Sequence, residues 1–145
     1  MNLTKEFIKS DICERYYFNM TAYGVYESEV ADDFFCEVKP EKAAAIIVGL
    51  IKKVPMPPIY LLRQEFDYKI IKNQEIFYTI REYIKGNIDT LLETLNLSYL
   101  KYNNISKEEK NNIKSIDVPI CILNIKTKDE ELKKELYEIM IFLME

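Results

Sequence analysis

Apolar residues recur along this chain with two different periods, and the switches between them predict the order of elements. Phe7, Ile8 and Ile12 stand near helical spacing behind Thr4, a good capping residue, so a short helix is expected over 4–11. The stretch PEKAAAIIVGLIKK, 40–53, places Ala44, Ile47, Val48 and Ile51 on one helical face, with Pro40 suited to the first turn and two lysines to the last. VPMPP then removes backbone donors and forces an extended chain, so the helix stops and a strand over Ile59–Arg63 follows. EFD has turn chemistry, and YKIIK over Tyr68–Lys72 reads as a second strand, antiparallel to the first. Asn73 is the expected cap of a helix running to about Lys85, with Phe77, Ile80 and Ile84 inward and Gly86 closing it.

Past Gly86, NIDTLLETLNLSYLKYNN is helical in pattern but interrupted by asparagines. SKEEKNNIK opens with a capping-box spacing, Ser106 to Glu109, and DVPICILNIK reads as a buried strand from about Val118. KDEELKKELYEIMIFLME has acids early and an apolar stripe of Leu132, Leu136, Ile139 and Leu143, the pattern of an amphipathic helix. No repeat, low-complexity tract or linker divides the chain. At 145 residues with 48% apolar content it has material for one core, so a single α+β domain over 1–145 is expected, a small mixed or antiparallel sheet with flanking helices. A charged fraction of 30% with 3 Gly and 5 Pro argues against disorder.

Charge and cysteine usage narrow the chemistry. The net charge of −4 disfavours bulk attraction to nucleic acid. Residues 21–48 hold six acids against two lysines, whereas 49–86 hold seven bases against four acids, a split that can make complementary faces. A basic strip of Lys52, Lys53, Arg63, Lys69 and Arg81 is the basis for a weaker, nucleic-acid-binding reading. The aromatic-rich stretch RYYFNMTAYGVYES fits a strand or a base-stacking platform. Its acidic neighbourhood repels phosphate and favours a role in a core or a protein interface. Cys13, Cys36 and Cys121 form no CxxC pair and the chain has no His, which argues against structural zinc and removes Ser-His-Asp and Cys-His catalysis. Carboxylates, lysines or a thiolate remain, and Cys121 in VPICIL reads as a buried apolar residue. No apolar run is long enough to span a membrane and the start does not read as a signal peptide, so a cytoplasmic location without membrane contact is expected.

The run from GLIKKVPMPPIYLL to YKIIKNQEIFYTIREYIKGN orders helix, PMPP, strand, turn, strand and a helix opening at a tight corner. Together with the later helix, strand and helix, it resembles, over about 37–143, the DGQQR-motif domains at the N-terminus of GmrSD-type restriction enzymes. The resemblance implies a ParB/sulfiredoxin-like fold and a nucleotide site at the corner. There the motif's five positions are taken by Lys72, Asn73, Gln74, Glu75 and Ile76, so only Gln74 agrees. Ile76 cannot make the bidentate contact of an arginine, Lys72 reverses the aspartate's charge, and Glu75 repels an anion. The family's second signature, of the Arg-x-x-Asn kind near the last helix, is also missing. The preferred expectation is therefore a non-catalytic protein-binding or regulatory domain, for example a regulator, immunity factor or decoy for a restriction or phage-defence system. No catalytic residue, metal or cofactor is assigned. The alternative is a nucleotide-binding or hydrolysing, nuclease-associated enzyme with a rebuilt pocket, in which Lys72 and Gln74 hold phosphate and Glu75 or Asp67 holds Mg²⁺.

Overall fold

One mixed sheet forms from four strands: β1 (Cys13–Thr21), β2 (Ile59–Arg63), β3 (Tyr68–Lys72) and β4 (Asp117–Ile125). Their order is β1-β4-β2-β3, with β1/β4 and β2/β3 antiparallel and β2/β4 parallel. This computed structural model describes residues 13–28 and 34–144, so the helix expected over 4–11 lies outside the described residues. The helices are α1 (Ala22–Glu27), α2 (Pro40–Ile51), α3 (Gln74–Lys85), α4 (Asp89–Thr94), α5 (Lys107–Ser115) and α6 (Glu130–Met144), with a 3₁₀ turn at Ser98–Leu100. The architecture is thus a small α+β domain, a four-stranded mixed sheet flanked by helices.

Strand alternation divides the core in two. Val118 and Ile120 of β4, Ile59 and Leu61 of β2 and Ile70 of β3 face one side, where they pack with α1, α2, α3 and α5. Cys121, Leu123 and Ile125 of β4 and Leu62 of β2 face the other, where Leu136 of α6 covers them. Alternation sends Ile71 of β3 towards the α6 side, and a register irregularity there leaves it unpaired between Ile70, opposite Leu61, and Lys72, opposite Tyr60.

Two apolar stripes differ from those the sequence predicts. On α2 the buried positions are Ala43, Ile46, Ile47, Gly49 and Leu50, whereas Ala44, Val48 and Ile51 are half-buried. The segment AAAIIVGLI is apolar all round, so periodicity could not choose its inward face. On α6, Leu136 and Ile139 are buried but Leu143 is 72% exposed, and Met140 and Met144 pack on the sheet instead.

The helix ends follow local chemistry. Lys53 ends α2 with a positive φ of 57°, and Lys53 N–H and Val54 N–H donate to the carbonyls of Leu50 and Gly49 at 3.3 and 2.8 Å. Gly86 closes α3 in the same left-handed region, as expected, and Asn96 follows α4. Ser106 and Glu109 form the predicted capping box of α5.

Candidate functional site

The β3–α3 corner is the place where the sequence puts candidate chemistry, and each of its five side chains has a definite position. Asn73 sits in the left-handed region at φ 59°, ψ 35°, a conformation that a short polar side chain tolerates better than most. It stands at the expected cap position, but its side chain makes no capping hydrogen bond. Its Nδ2 donates instead to the Pro58 carbonyl, tying the PMPP stretch to the corner. Gln74 Nε2 donates back along the strand to the Ile70 carbonyl at 3.2 Å. Glu75 lies 3.7 Å from Lys42 Nζ in a partly exposed ion pair and complements the helix dipole by roughly 0.3–1 kcal/mol. Ile76 is only 4% exposed and belongs to the larger core cluster. Its amide donates to the Asn73 carbonyl at 3.1 Å.

A cleft of about 420 Å³ opens beside this corner, walled by Ile71, Lys72, Gln74 and Glu75 and by Ile141 and Met144 of α6. Lys72 supplies a cation and Glu75 an anion, so the charges on its wall oppose one another. An anion held there would meet the Glu75 carboxylate in the helix's first turn. Asp67 lies at the other end of β3, before Tyr68, so the five-residue strand separates it from Glu75 by about 17 Å. Glu75 and Asp67 thus lie at opposite ends of β3, and no cluster of three or more metal-ligating side chains occurs among the described residues.

A second cleft, of about 250 Å³, lies between the segment 34–39 and α3, walled by Cys36, Glu37, Tyr78, Thr79, Ile88 and Leu91 among others. Partial burial, then Glu75 and Glu37, push the Cys36 thiol upwards, away from the thiolate that a nucleophile needs. Burial also pushes up Cys13, against a pull from Arg15, and Cys121, against a hydrogen bond with Tyr17 and then Arg15. Burial thus works against the thiolate form at all three cysteines. Cys121 is buried as its sequence context implied, whereas Cys13 and Cys36 are half-buried. The Thr79 hydroxyl is buried beneath this cleft without a hydrogen-bond partner among the described residues. Nothing in the spacing of apolar residues foretells a buried hydroxyl at this position.

The basic strip does not assemble into one surface. Arg81 is 1% exposed, donates to the Phe34 carbonyl at 2.9 Å and stacks over Phe77 at 5.4 Å from the ring centre. Arg63 pairs with Tyr68 and Lys69 with Leu62, so alternation sends Arg63 and Lys69 to opposite faces of the hairpin. The aromatics of 15–28 are divided between β1 and α1. Tyr16, Tyr17 and Phe18 of β1 are exposed, while Tyr23 and Tyr26 of α1 lie 5.4 Å apart and half-buried.

Among the described residues, no helix is long and apolar enough to cross a membrane. Comparison of the chain with protein-family models, with curated proteins and with solved structures returns no match.

Proposed function

We propose that this chain is a non-catalytic protein-binding domain of the DGQQR-motif, ParB/sulfiredoxin-like type, in which the anion-gripping corner has become a structural joint. The burial of Ile76 carries this reading. At the position where the motif places an arginine, the side chain points into the core and cannot reach a phosphate in the cleft. Two further observations support the kinship. The left-handed residue Asn73 stands where the motif has glycine, and its side chain joins the corner to the PMPP stretch, the other part of the likeness. Exposed aromatics on β1 favour a protein partner over a phosphate chain.

Calorimetric titration with nucleoside triphosphates and Mg²⁺ tests the reading. No binding heat and no hydrolysis are expected. Micromolar binding abolished by Lys72→Ala, or turnover abolished by Glu75→Ala, would replace it with a nucleotide-hydrolysing enzyme whose pocket has been rebuilt.

A further inference from the structure

We draw no further inference here: the strongest candidate, the cleft between the segment 34–39 and α3, has its one buried hydroxyl, that of Thr79, sealed from solvent, and nothing in the structure shows what covers its apolar walls.

Discussion

Tyr83 lies wholly inside the domain, and its hydroxyl donates to the Leu100 carbonyl at 2.6 Å, tying α3 to the 3₁₀ turn. Burial, reinforced by Tyr102, Glu109 and Asp89, pushes its ionisation far above the ordinary value of 10.0. A raised folded-state value means that the neutral phenol is favoured by folding, so the stability it contributes is complete below pH 10.0 and falls as pH rises beyond that. Denaturation melts of the wild type are expected to lose stability above about pH 10. Tyr83→Phe should flatten that part of the profile while costing about 1 kcal/mol at neutral pH through the lost hydrogen bond. An unchanged alkaline slope in Tyr83→Phe would assign the effect to other groups. Asn73 carries the complementary lesson. Its place at the strand–helix junction was legible in the sequence, but its left-handed backbone and its bond to Pro58 were not, because both depend on where the PMPP segment folds back.

Among the elements, α3 organises the most. Its buried face holds Ile76, Phe77, Ile80 and Tyr83, and its Arg81 anchors the segment 34–39 through the Phe34 carbonyl. Arg81→Met keeps the length of the side chain but removes that donor. It is expected to cost about 2 kcal/mol and to speed amide exchange across 34–39, measured by mass spectrometry. Unchanged protection there would mean that the segment is held by other contacts. The hairpin, the proline-terminated α2, the capping box of α5 and the strand at 117–125 could all be read from the chain because each is set by local signals. The inward face of α2 could not, since its residues are apolar on every side. Nor could the burial of Arg81, which a count of charges had assigned to the surface.

For the molecule as a whole, the dispersal of positive charge bears on nucleic acid. Lys52 and Lys53 follow the end of α2, Arg63 and Lys69 face opposite ways, and Arg81 is internal, so these five residues form no continuous stripe that could release counterions along a backbone. Fluorescence titration with duplex DNA at low salt is expected to give no binding. Saturable binding that weakens steeply with salt, and disappears in the double variant Lys52→Glu/Lys53→Glu, would show that charges from separate elements cooperate.

The position of β4 between β1 and β2 has a consequence for how the chain assembles. Neither the opening strand nor the β2–β3 hairpin touches the other in the finished sheet, and the residue run that joins them is made only after five helices have been translated. The two halves can meet earlier through α1 and α3, which share one core, but the continuous sheet closes only once 117–125 is available to bridge them.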